Sequence, residues 1–278
     1  MKVLEAPFVQ GFMRMADDGW QQGWHERNGG NLSYRIHTEE IESVKEALCT
    51  DGEWRPIGTS VPELAGEYFL VTGSGKFFRN VLRDPEDSIC ILKVDGTGEQ
   101  YQIQWGLIHG GRPTSELPSH LMNHAVKKEL TNGAYRVIYH AHTTNVIALT
   151  FVLPLSDEVF TRQLWEMATE CPVVFPDGVG VVAWMVPGGR DIAVATSELM
   201  KKYDVAIWAH HGIFCAGPDF DITFGLAHTV EKSAEILVKT LSIRPDKLQT
   251  ITPEDFRALA KDFKVTLPER FLCQLPTT

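Results

Sequence analysis

The stretch RVIYHAHTTN, Arg136 to Asn145, puts two histidines one residue apart at the end of an apolar alternating run, with a strand expected over Tyr135 to Ala141. Side chains two apart on a strand share a face at about 7 Å, close enough for His140 and His142 to reach one ion at about 2.0 Å from each ring nitrogen. The same spacing also fits two packed imidazoles, so a third ligand has to decide. His211 is the best placed of the remaining histidines. It follows the apolar strand Val205 to Ala209 and precedes Gly212, where the chain must turn at a sheet edge. His210 beside it is expected to point to the opposite face.

Working outward, apolar residues at helical intervals from about Ala6 to Trp24 (Phe8, Phe12, Met15, Trp20) predict an amphipathic helix. The sequence ERNGGNLSYRI then reads as a tight glycine loop opening a strand, and EYFLVTGSGKFF as a strand entering a second glycine-rich turn. ICILKVDGTGEQYQIQWG carries a hairpin signal. PTSELPSHLMNHAVKKEL places Thr114 and Ser115 as N-cap candidates of a helix, and VAIWAHHGIFCAG reads as strand, turn, strand. DITFGLAHTVEKSAEILVKTLSI is the longest helical pattern. The stretch from about residue 40 to 67 has weak periodicity and is expected to be an insertion within one domain spanning 1–278. Helices alternating with hairpin-linked strands predict an α/β fold whose sheet is mixed and mainly antiparallel.

The chain carries a formal net charge of −10, which argues against a nucleic-acid partner. An anionic substrate must then be gripped by local groups. Five cysteines without CxxC spacing do not form a disulfide framework, and no run approaches the roughly 18 apolar residues of a membrane span. The expectation is a soluble cytoplasmic protein.

Glu116, His120 and His124 recur at helical spacing, a competing cluster. Positions i and i+8 lie about 12 Å apart along a helix, too far to share one tetrahedral ion. Glu116 is therefore favoured at the site, with the two histidines packing behind it. VTGSGK lacks the Walker A spacing, which leaves it and RNGGN as turns whose outward N–H groups fit either an anion nest or a plain structural turn.

Taken in order, ERNGGNL, VTGSGKFFRNV, PTSELPSH, HAHTTN, TRQLWE, VVFPDGVG, WMVPG and HGIF resemble the class II aldolase/adducin family over most of the chain. The resemblance implies a three-layer α/β/α domain, one Zn²⁺ per subunit and a homotetramer with active sites between subunits. It also implies reversible cleavage of L-rhamnulose 1-phosphate to dihydroxyacetone phosphate and L-lactaldehyde. Carried over by motif, it makes His140, His142 and His211 the metal ligands and Glu116 the acid/base. Asn28, Gly30, Asn31, Ser74, Gly75 and Ser115 become the phosphate site. Glu170 is implied as a second carboxylate reaching a neighbouring subunit's site, with Glu166 one turn earlier as its rival. A fuculose-phosphate aldolase, a pentulose-phosphate 4-epimerase and a metal-free scaffold module are the alternatives the family offers. The epimerases typically carry aspartate after the serine of TSE, so the glutamate here favours aldolase.

Overall fold

In a computed structural model the chain folds around one nine-stranded sheet, and the structure describes residues 1–273 of 278. In chain order the strands are β1 (Asn31–Arg35), β2 (Trp54–Pro56), β3 (Tyr68–Thr72), β4 (Ile89–Val94) and β5 (Gln100–Gly106). They continue with β6 (Val137–Ala141), β7 (Gly180–Val182), β8 (Val205–Trp208) and β9 (Gly212–Gly217). The spatial order is β2-β5-β4-β3-β1-β6-β9-β8-β7, and every pairing is antiparallel except β7 with β8.

All residues of β1, β6, β8 and β9 are buried, because helices cover both faces of the sheet centre. One face, with Leu32, Tyr139, Ile207 and Ile213, packs in the core that includes helices Pro7–Gln21 and Phe220–Ile243. The other turns Ile138, Ala206, Trp208 and Phe214 toward helix Arg190–Met200, with Ile192 and Met200 in the same cluster. Helix Leu117–Leu130 closes that side over β3 and β4 with Leu117 and Leu121. Among the described residues no helix is long and apolar enough to cross a membrane.

Local details sharpen these expectations. Residues Trp54–Pro56 form the edge strand β2, while Ile57, Val61 and Leu64 enter the core, so the stretch from 40 to 67 is built into the sheet. Neither Thr114 nor Ser115 is the N-cap. The helix starts at Leu117 with Pro118 in its first turn, where proline's fixed φ is tolerated, and the Thr114 hydroxyl accepts from the Glu116 N–H at 3.2 Å. Glu116 itself holds the N-cap position. As expected, β6 ends at Ala141, and His142 lies just beyond the strand.

Candidate active site

Strand register builds the site. Asn31 at the start of β1 lies opposite His140 on β6, and His140 lies opposite Phe214 on β9. His211 occupies the turn between β8 and β9, in which His210 takes a left-handed φ of 62°. Gly212 follows because a Cβ there would sit 2.3 Å from the Ala141 carbonyl, so the turn is pressed against the end of β6. His210 points away, with its Nδ1 3.0 Å from the Thr150 hydroxyl and its ring on Phe151.

One nitrogen from each of His140, His142 and His211 lies within 4.8 Å of the others, and the His140 and His211 Nε2 atoms are 3.4 Å apart. Two nitrogens bound at about 2.0–2.1 Å to one tetrahedral ion are separated by about that distance. The tautomers agree. His140 Nδ1 lies 2.9 Å from the Ile213 carbonyl and must donate to it, which leaves Nε2 unprotonated toward the cluster. His142 Nδ1 is 2.7 Å from Glu26 Oε1, a carboxylate–histidine pair that likewise frees Nε2. Burial holds His140 well below the usual imidazole range and, with His142 nearby, lowers His211 to about 4. Unprotonated nitrogens converging without a proton between them are a donor set for a borderline metal ion such as zinc.

Glu116 borders the cluster with Oε2 3.7 Å from His140 Nε2. Burial raises its carboxyl above the ordinary range, while the hydrogen bond from Asn31 Nδ2 at 2.9 Å and the nearby His142 work against that rise.

The three loops expected to bind an anion meet here. Leu32 N–H donates to the Thr72 hydroxyl at 3.1 Å, which ties the first loop's strand to β3. Ser74 N–H donates to the Arg112 carbonyl and Thr114 N–H to the Thr72 carbonyl, each at 2.9 Å, stitching the second loop to the third. A cavity of about 200 Å³ is lined by Asn28, Gly30, Asn31, Ser74, Gly75, Ser115, Glu116, the three histidines and Pro187, among others. A larger one of about 500 Å³ next to it, around Arg55, Tyr101 and Arg112, shares Thr114 and Ser115 but none of the histidines. Chemistry, not size, singles out the smaller. Lys76 is not a cation of this site, since it pairs with Asp87.

Glu170 lies elsewhere. It is exposed, at the N-cap position of the short helix Cys171–Val174, and lines a separate cavity with Ala168, His228 and Lys232. Glu166 is part-buried and engaged in ion pairs with Arg162, at 2.7 Å, and with Lys247.

Sequence reading missed Glu26, the partner of His142, and His25, which supports the first loop from below. His25 Nδ1 donates to the Gly29 carbonyl at 3.0 Å, its Nε2 accepts from Tyr139 at 2.7 Å, and its ring stacks on Phe78. Gly30, at φ 72°, has no room for a Cβ, which would meet His25 Nδ1 at 2.4 Å. Burial pushes His25 down to about 3. Because the folded state keeps this imidazole neutral while the unfolded chain protonates it, its share of stability is full above the ordinary histidine value. That share is lost as pH falls from there toward 3. Denaturant titrations of His25→Gln across that window should show a shallower decline with acid than wild type; parallel declines would remove His25 from the account.

The description "Class II Aldolase and Adducin N-terminal domain" fits residues 10–238. The rhamnulose-1-phosphate aldolase of Mannheimia succiniciproducens is 50% identical over 264 residues, covering 95% of this chain and 97% of that one. That of Pectobacterium atrosepticum is 51% identical, covering 95% and 96%. The crystal structure of a sugar-phosphate aldolase from Thermotoga maritima superposes with a TM-score of 0.74 at 28% identity, covering 86% of this chain and 97% of that one. An L-fuculose 1-phosphate aldolase shares the fold, with a TM-score of 0.59 at 19% identity, covering 92% and 96%.

Proposed function

The chain belongs to the class II aldolase and adducin family, and from that premise we propose that it is a zinc-dependent aldolase cleaving L-rhamnulose 1-phosphate to dihydroxyacetone phosphate and L-lactaldehyde. The observation that carries this reading is the convergence of His140, His142 and His211 beside a buried glutamate, in one cavity with the two glycine-rich loops and Ser115. One zinc per subunit, a cytoplasmic homotetramer and active sites between subunits complete it.

Cleavage of the C3–C4 bond leaves an electron pair on C3 of the dihydroxyacetone phosphate half, delocalised as an enediolate. Zinc held by the three histidines would supply Lewis-acid stabilisation of that negative charge. Glu116 delivers a proton to C3 in cleavage and removes it in condensation. Its burial suits both tasks, since a carboxyl with a raised pKa can carry the proton and still release it. Glu170 of a neighbouring copy takes the proton from the C4 hydroxyl as the aldehyde forms. Its exposure, with Glu166 locked in ion pairs, favours it for that task.

The phosphate is held away from the reacting bond by Asn28, Gly30, Ser74, Gly75, Ser115 and the second amide hydrogen of Asn31, the first being engaged by Glu116. This fixes C3 against Glu116. Ser74→Ala and Asn28→Ala are each expected to weaken dihydroxyacetone phosphate binding roughly 10-fold, the scale of a hydrogen bond to a charged group. The double variant should lose less than the sum, because both residues grip one group. Calorimetric titration reads this, and unchanged affinity in both single variants would leave the loops as plain turns. The reaction itself is tested by a product assay on a panel of ketose 1-phosphates, in which L-rhamnulose 1-phosphate should be the best substrate.

A further inference from the structure

Behind Glu116 runs a buried hydrogen-bond chain that the reaction as described does not use. Asn31 Nδ2 donates to Glu116, and Asn31 Oδ1 meets His120 Nε2. His120 Nδ1 is 2.6 Å from Ser33 Oγ, and Ser33 Oγ is 2.8 Å from His124 Nε2. His120 and His124 lie one turn apart on helix Leu117–Leu130, Ser33 and Asn31 lie two apart on β1, and all four side chains are buried.

The far end fixes the direction of every proton in this chain. Among the described residues, His124 Nδ1 is buried without a partner. A buried N–H with no acceptor costs more than a bare ring nitrogen, so His124 carries its proton on Nε2 and donates it to Ser33 Oγ. Ser33 then gives its hydroxyl proton to His120 Nδ1. His120 is left with its proton on Nε2, aimed at Asn31 Oδ1, and Asn31 can only turn its NH₂ toward Glu116. Burial keeps both imidazoles neutral, with His120 lowered to about 3 and His124 well below its usual value, as the single-proton chain requires.

We infer that Ser33, His120 and His124 are positioning residues that lock the Asn31 amide, and through it hold one Glu116 oxygen in place while the other is free to exchange a proton with the substrate carbon. Losing any link lets His120 or Asn31 turn over. The Asn31 oxygen would then face the carboxylate and repel it.

This rests on Glu116 being the acid/base, and the test separates the two ideas. Ser33→Ala removes one buried oxygen, and His120→Leu removes the Nδ1 acceptor and the Nε2 donor together. Each is expected to lower kcat roughly 10- to 100-fold, the usual effect of losing a partner that orients a site residue. Zinc content should stay at the wild-type value, while KM for the ketose 1-phosphate is expected to rise modestly, because the same Asn31 amide also holds the phosphate. His120→Gln, whose amide can still donate to Asn31, should recover most of the loss. In a Glu116→Gln background Ser33→Ala should change kcat less than about 2-fold, because the group being positioned has already gone. An equal loss in that background, or wild-type kcat in Ser33→Ala, overturns the relay. Should His120→Leu not fold, Ser33→Ala and His120→Gln decide alone. Normal turnover in Glu116→Gln by itself would instead overturn the role of Glu116.

Discussion

His211→Ala is expected to yield a folded protein that has lost bound zinc and aldolase activity together. The side chain is only part-buried, in a turn that His210 and Gly212 shape without it, so truncation should cost little stability. It does remove one of the three nitrogens that lie within 4.8 Å of one another, and two imidazoles on adjacent backbone retain a divalent ion poorly. A Lewis acid contributes several kcal/mol to stabilising the developing charge, so turnover should fall at least about 10³-fold. His210→Ala is the control, since that imidazole faces Thr150 and Phe151. Metal analysis and a cleavage assay on both variants check the assignment. Full zinc occupancy in His211→Ala with loss in His210→Ala would mean that the wrong histidine had been chosen.

Glu116→Gln is expected to keep zinc and to bind dihydroxyacetone phosphate normally, yet to lower kcat about 10²- to 10⁴-fold, the range for removing a general acid/base. The partial reaction isolates it best. Exchange of the C3 proton of dihydroxyacetone phosphate with deuterated water needs Glu116 but neither the aldehyde nor a second carboxylate. In wild type this exchange should fall away with acid at a pH above the ordinary carboxylate value, because burial raises Glu116 and its basic form is lost as pH drops through that raised pKa. The glutamine variant should show almost no exchange and no such limb. Near-wild-type exchange would sink the assignment.

Much of this site is legible in the chain itself. The two glycine loops, the helix bearing Glu116 and the strand ending in His140 follow from local patterns, because tight turns and alternating burial leave marks within a few residues. His142 is subtler, since the strand stops at Ala141 and its orientation depends on Glu26, an acid in a polar loop more than a hundred residues earlier. His25 and Ser33 are illegible for the same reason. Their partners Tyr139, His120 and His124 are distant in sequence, and a serine inside an alternating strand reads as an ordinary polar position. The edge strand within the stretch from 40 to 67 leaves no mark because it is three residues long, too short for an alternation to register. The register that sets Asn31 opposite His140 is likewise a product of sheet assembly that neither segment carries alone.

The central claim is that a metal ion held by the three histidines enables cleavage of a phosphorylated ketose. It is tested most directly by assaying purified protein on L-rhamnulose 1-phosphate before chelation, after removal of metal, and after return of zinc. The account predicts formation of dihydroxyacetone phosphate that is abolished by chelation and restored by about one zinc per chain, the stoichiometry of a single three-histidine site. Cleavage that continues unchanged in metal-free protein, or none at any zinc concentration, would contradict it.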